Sequence, residues 1–247
     1  MTNEIGSFAG RLRALTPARV RLDPRGGAAP LSAVLDFQAS HARARDAIRQ
    51  PVDWAAVKAG LGDRPLLELE SRAPDRDTYL RRPDLGRRLS PESLARVPQA
   101  KPDLAVVIAD GLSGFAVAHH AAAMVAALEA ALPETDLGPV ALVRQGRVAI
   151  GDEIAQAMGA PLCLMLIGER PGLSVSDSLG AYLTWAPRIG TPDSARNCVS
   201  NIHGKGGLSH RAAAELIAYL AGRAREIGAT GVALKDERGQ AALPSAE

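Results

Sequence analysis

The chain has 247 residues, 47% of them hydrophobic and 23% charged, and a net charge of +2. That length supports a core of one domain plus an appendage, or two small domains, and the charge is too near neutral to imply a polyanionic partner. Aromatic residues are only 3% of the chain, which argues against nucleic-acid recognition by stacked bases.

Two cysteines, without Cys-x-x-Cys or zinc-ligand spacing, make neither a disulfide framework nor a metal site. The N-terminus lacks the apolar segment of a secretory signal, and no apolar run reaches the roughly 18 residues of a membrane span. A cytoplasmic, reducing setting is the default expectation.

A short helical turn is expected around Phe8–Leu15, then a loop through 23–27. A helix from Leu31 to about Ile48 follows, with Ser32 as its N-cap and an apolar stripe that fades after Phe37. Pro51 stops it. Asp53 caps a second helix over Trp54–Leu61, ended by Gly62. Residues 1–63 thus read as a helical N-terminal region.

Leu66–Leu69 reads as a strand. Residues 71–103 are loop-rich, with a short helix begun by Ser90-Pro91. From Leu104 the pattern changes to alternating strands and helices. LAVVIA (104–109) is a continuous apolar run, as in a buried parallel strand. An Ala-rich helix over Phe115–Leu132 follows, then a strand over Pro139–Val143, a helix over Asp152–Met158 and a strand over Pro161–Ile167. Ala181–Trp185 is a fourth, shorter strand. Pro192–Asn201 is expected to be a helix, Ser209 caps a helix to Ile227, and Val232–Lys235 is a last strand. This predicts an α/β domain over 64–236, a Rossmann-like and mostly parallel sheet flanked by helices, with residues 237–247 a disordered tail.

Several stretches carry candidate chemistry. Asp110-Gly-Leu-Ser-Gly114 lies between a strand and a helix, where glycines and a helix N-terminus favour an anion; a plain βα turn capped by Ser113 explains it equally well. Arg81, Arg82, Arg87 and Arg88 form a solvated face or a set of local ion pairs or, less simply, a site for a phosphate-bearing ligand or an acidic partner surface. His119 and His120 are adjacent and face apart, so they do not form a metal pair, and His41, His203 and His210 stand alone in sequence. Asn201–Gly207 carries Lys205 in a Gly-rich loop without Walker order.

The sharpest stretch is Gly168-Glu-Arg-Pro-Gly172. Glu169 directly follows a strand, which puts it at the sheet edge where open α/β folds bind ligands; the alternative is that it pairs with an Arg in a turn. Cys163 sits in an apolar run. Cys198 sits in a polar one, as a weak nucleophile candidate or a small packing residue.

These same residues carry a family resemblance. FQASHARARDAI (37–48), YLRRPDLGRRLSPES (79–93), VVIADGLSGFAV (106–117), VRQGRVAIGDEI (143–154), LIGERPGLSVSDSLGAYLTWAPR (166–188) and RNCVSNIHGKGGLSHRAAAELI (196–217) resemble, in order, the small subunit of ethanolamine ammonia-lyase. The resemblance implies an adenosylcobalamin-dependent conversion of ethanolamine to acetaldehyde and ammonia, begun by homolysis of the cobalt–carbon bond. It also implies a hetero-oligomer in which a large β/α-barrel subunit holds the substrate and this subunit closes over the cofactor. The cofactor contacts it implies are Val148 in GRVAIGDEI, Glu169 in GERPG and Cys198 in RNCVSN, with no catalytic or metal-ligating residue on this chain. No Asp-x-His-x-x-Gly motif is present, so the cofactor is expected to keep its own benzimidazole on cobalt.

Cobalamin carries the difficult chemistry while the protein supplies placement. A carboxylate accepts amide or hydroxyl hydrogens of the corrin rim, a Val packs on a ring, and a small Cys permits close approach. Two other readings remain at this stage. One is an assembly or targeting module, in which residues 1–30 address the complex to a bacterial microcompartment. The other is a stand-alone Rossmann-type enzyme with a nucleotide or phosphate at DGLSG.

Overall fold

A computed structural model describes residues 8–15 and 29–238. The loop expected at 23–27 and residues 239–247 of the expected tail lie outside the described residues.

Six strands form one sheet in the order β1-β3-β2-β4-β5-β6. They are β1 (Leu66–Glu70), β2 (Ala105–Ala109), β3 (Val140–Arg144), β4 (Leu162–Gly168), β5 (Leu179–Trp185) and β6 (Arg196–Ile202). The first four are mutually parallel; β5 is antiparallel to β4, and β6 is antiparallel to β5. The helices are α1 (Phe8–Leu15), α2 (Leu31–Arg49), α3 (Trp54–Leu61), α4 (Arg76–Arg81), α5 (Pro91–Ala95), α6 (Gly114–Ala131), α7 (Ile150–Met158) and α8 (His210–Ile227). A helical N-terminal region therefore precedes a mixed sheet whose first four strands in chain order are parallel.

Four local expectations are corrected. Pro192–Asn201 is not a helix: a 3-10 turn at Asp193–Ala195 leads into β6, because pairing with β5 outweighs weak local preference. Val232–Lys235 is not a strand. Its backbone is held instead by the Asn197 side chain, which donates to Leu234 O at 2.9 Å and accepts from Gly231 N at 2.7 Å. Ser32 does not cap α2, which starts one residue earlier after Pro30, with no side-chain cap. The α2 stripe also inverts: Leu31, Leu35 and Phe37 are exposed, and small residues Ser40, Ala44 and Ala47 face inward. Helix α4 was not expected; Asp75 caps it, accepting from Thr78 N at 2.7 Å. The caps read from sequence at Asp53, Ser90 and Ser209 are present.

The strands alternate, so the sheet has two faces. Val106, Ile108, Leu142, Leu164 and Leu183 point to the face covered by α3, α6 and α8. Val107, Ala141, Val143, Cys163 and Met165 point to the face covered by α7. Helix α6 has 18 residues and enough apolar character to cross a membrane by length and composition. It is a core helix here, with Met124, Val125 and Leu128 fully buried against the sheet and α8.

Candidate functional site

Two neighbouring strands, β2 and β3, send their helices to opposite faces. The crevice at their carboxyl ends is where open α/β sheets bind ligands. Here Asp110 fills it. Its Oδ2 accepts from Gln145 N at 2.9 Å and its Oδ1 from Gly146 N at 3.0 Å. Burial pushes its carboxyl up to about 6, against the opposing pull of Arg76 at 3.6 Å and of the amides. Leu112 N is also taken, by Gly168 O at 2.9 Å, and the Ser113 side chain caps α6. Two amides at this turn, those of Leu112 and Ala116, are thus committed within the protein.

The same network fixes the loop 145–149. Arg76 donates to Gly111 O at 2.8 Å and to Ile48 O at 2.8 and 2.6 Å, tying the end of α2 to this edge. The fully buried Tyr79 donates its hydroxyl to Gly146 O at 3.0 Å. Arg147 and Val148 follow directly and are presented, half-buried, at the surface.

Glu169 leaves the end of β4 as expected. Among the described residues it pairs with no Arg; its Oε2 accepts from Ser178 Oγ at 2.5 Å and from Asn201 N at 3.3 Å. Asn201, at φ 59°, lies where the β5–β6 register shifts, and this bulge turns its N–H toward the carboxylate. Gly180 makes the approach possible, since a Cβ there would stand 2.9 Å from Glu169 Oε1. Among the described residues Oε1 accepts no hydrogen bond.

Cys198 is exposed on β6, directly across from Tyr182 on β5, which is itself across from Met165. Partial burial, with the Glu169 carboxylate adding to it, raises the thiol above its ordinary value, against the opposing pull of the facing Tyr182 side chain. Cys198 is therefore a neutral thiol at neutral pH, not an activated nucleophile. Cys163 is buried and its thiol is raised further.

Two open grooves meet here. One, of about 450 Å³, is lined by Tyr79, Arg147, Val148, Glu169, Arg170 and Tyr182. The other, of about 410 Å³, adds Arg87 and Asp193 and shares Arg147, Val148 and Tyr182. Val148 and Glu169 thus line one groove. Cys198 lines neither and joins the site through Tyr182.

Sequence reading missed Tyr79, Arg147 and Tyr182. Tyr182 was findable from alternation along its strand, whereas Tyr79 and Arg147 depend on long-range packing. It also missed a buried ion pair beneath the second groove: Arg196 grips Asp152 with two contacts of 2.6 Å, both side chains at most 2% exposed. Burial pushes the Asp152 carboxyl up, and the bidentate contact with Arg196 opposes this. Of the arginine cluster only Arg82 pairs locally, with Asp84; Arg87 and Arg88 reach Asp193 and Glu153 across the fold, and Arg81 donates to Asp77 O. His120 and His210 are not isolated: their ring nitrogens meet at 3.1 Å between α6 and α8. Among the described residues no group of three or more His, Cys, Asp or Glu is placed to hold a metal ion.

Residues 7–235 match the family model described as Ethanolamine ammonia-lyase light chain (EutC). The ethanolamine ammonia-lyase small subunit of Azotobacter vinelandii is 49% identical over 246 residues, covering 96% of this chain and 91% of that protein. Those of Pseudomonas syringae pv. tomato and Xanthomonas campestris pv. campestris are each 50% identical, over 236 and 238 residues; the matches cover 92% of this chain, and 82% and 87% of theirs.

Proposed function

This chain belongs to the ethanolamine ammonia-lyase light-chain family, and from that premise we propose that it forms one wall of an adenosylcobalamin pocket completed by a large catalytic subunit. The assembled enzyme converts ethanolamine to acetaldehyde and ammonia. The observation that carries this reading is the convergence of Val148, Glu169 and the Tyr182–Cys198 pair, from three separate segments, on one surface.

The residues suit the group. A corrin is a broad apolar disc rimmed by amides. The surface offers an apolar side chain at Val148, a free acceptor at Glu169 Oε1 and a neutral thiol at Cys198. The grooves are open and each is of drug-ligand size, so a ligand as large as cobalamin needs a second wall. When bound, adenosylcobalamin supplies the radical chemistry. This chain's part is to hold and orient: Glu169 accepts an amide hydrogen, Val148 excludes water from the ring, and Cys198 allows close approach. No proton transfer is required of it.

The test is reconstitution. The chain alone, given adenosylcobalamin and ethanolamine, yields no acetaldehyde; mixed with the large subunit it restores turnover and retains cobalamin through gel filtration. Turnover by the isolated chain would overturn the proposal. So would equal cobalamin retention by the large subunit alone.

A further inference from the structure

Arg147 is built into the site, yet among the described residues no carboxylate meets its charge. Its backbone N–H is bound to Gly86 O at 2.7 Å. Its guanidinium stacks on Tyr79, 4.2 Å from the ring centroid, and Nη2 donates to Tyr79 O at 3.2 Å. Nε is buried and makes no hydrogen bond. Among the described residues Arg147 forms no ion pair.

The surroundings hold it in this pose. A Cβ on Gly86 would stand 2.9 Å from Arg147 Cγ and 3.0 Å from Tyr79 Cδ2, so only glycine lets the arginine stem pass between them. Tyr79 is in turn fixed through its hydroxyl to Gly146 O, one residue before Arg147. A guanidinium held over a buried ring has lost much of its rotamer freedom before any ligand arrives. A guanidinium that lines a groove and has no counter-charge among the described residues points to an acceptor supplied from outside. Arg147 lines both grooves beside Val148 and Tyr182, which places that acceptor within the same pocket.

We infer that Arg147 is a further cofactor-binding residue, pre-oriented by Tyr79 and Gly86, whose guanidinium donates to an oxygen acceptor of the bound corrinoid. This rests on the cobalamin reading above. Two acceptors share the required chemistry: an amide carbonyl of the corrin rim and the phosphate of the nucleotide tail.

The experiment uses the full chain assembled with the large subunit, titrated with adenosylcobalamin and followed by absorbance. Arg147→Ala should weaken affinity about tenfold to a hundredfold. Arg147→Lys keeps the charge but not the planar fork, and should recover only part of the loss. Gel filtration and thermal melting establish that each variant still folds and assembles. The same titration with adenosylcobinamide and with its phosphate ester, which differ only in the phosphate, assigns the acceptor: an equal loss identifies a rim amide, and a loss confined to the phosphate ester identifies the phosphate. Affinity within twofold of the parent for both Arg147→Ala and Arg147→Lys, with every one of these corrinoids, overturns the inference. Glu169→Ala is titrated in parallel. If it weakens binding while the Arg147 variants do not, only the role of Arg147 fails; if neither does, the pocket reading itself fails.

Discussion

The two faces of the sheet are organised by different physics. The face under α3, α6 and α8 is a continuous apolar core, from Trp54 and Leu61 through Leu164 to Leu220 and Leu234. The face under α7 has a smaller apolar cluster, and it also buries Asp152 with Arg196 and Glu153 near Arg88. Every candidate site residue is associated with this second face or with its carboxyl edge. Apolar burial is non-directional and fills space, so the first face serves stability. Charges buried in pairs demand fixed geometry; here they hold the ends of α7 and β6 in place beneath the grooves.

The largest expected effect comes from breaking that ionic pair. Arg196→Met strands Asp152 and should cost about 3–5 kcal/mol in denaturant unfolding, whereas the double variant Arg196→Met/Asp152→Leu should recover much of it. Leu164→Ala on the opposite face should cost about 2–5 kcal/mol. No second truncation there should restore it. An Arg196→Met protein as stable as the parent would remove the contrast between the faces.

Asp110 gives the next effect. Its folded carboxyl, at about 6, lies above its ordinary 3.8, so between these values the folded state holds more protons than the unfolded chain. Stability is therefore greatest at the acid end of this window and falls as pH rises through it, by roughly 3 kcal/mol in all. Asp110→Asn should flatten this slope in melts between pH 4 and 6. A slope unchanged by the substitution would show that Asp110 is not its source.

Glu169→Ala should separate binding from folding. Cobalamin affinity of the assembled complex should drop about tenfold, while the unfolding free energy moves by less than about 1 kcal/mol. Glu169→Gln, which retains an acceptor oxygen, should lose less. A fall in turnover at unchanged affinity would contradict the holding role.

The smallest effect is at Cys198. Because its thiol is raised, alkylation by iodoacetamide should be slower than that of an unperturbed cysteine, and Cys198→Ser should change stability by no more than about 0.5 kcal/mol. Rapid alkylation at neutral pH would restore the nucleophile reading.

Much of this was legible in the chain. LAVVIA and PLCLMLI announce buried strands because a strand covered on both faces is apolar at every position. Asp53, Ser90 and Ser209 announce helix starts because their side chains satisfy local amides. Glu169 was placed at a strand's carboxyl end by position alone. These readings succeed because each depends on neighbours within a few residues. The strand at Arg196–Ile202 was not legible, since its polar sequence becomes a strand only when β5 pairs with it. Nor was the orphaned Nε of Arg147, which needs Tyr79, 68 positions away, and Gly86 to hold it. The sequence determined which segments are strands and helices wherever burial or capping is local. Tertiary structure alone decided which side chains meet at the site, because the sheet order brings together residues whose separation along the chain carries no signal.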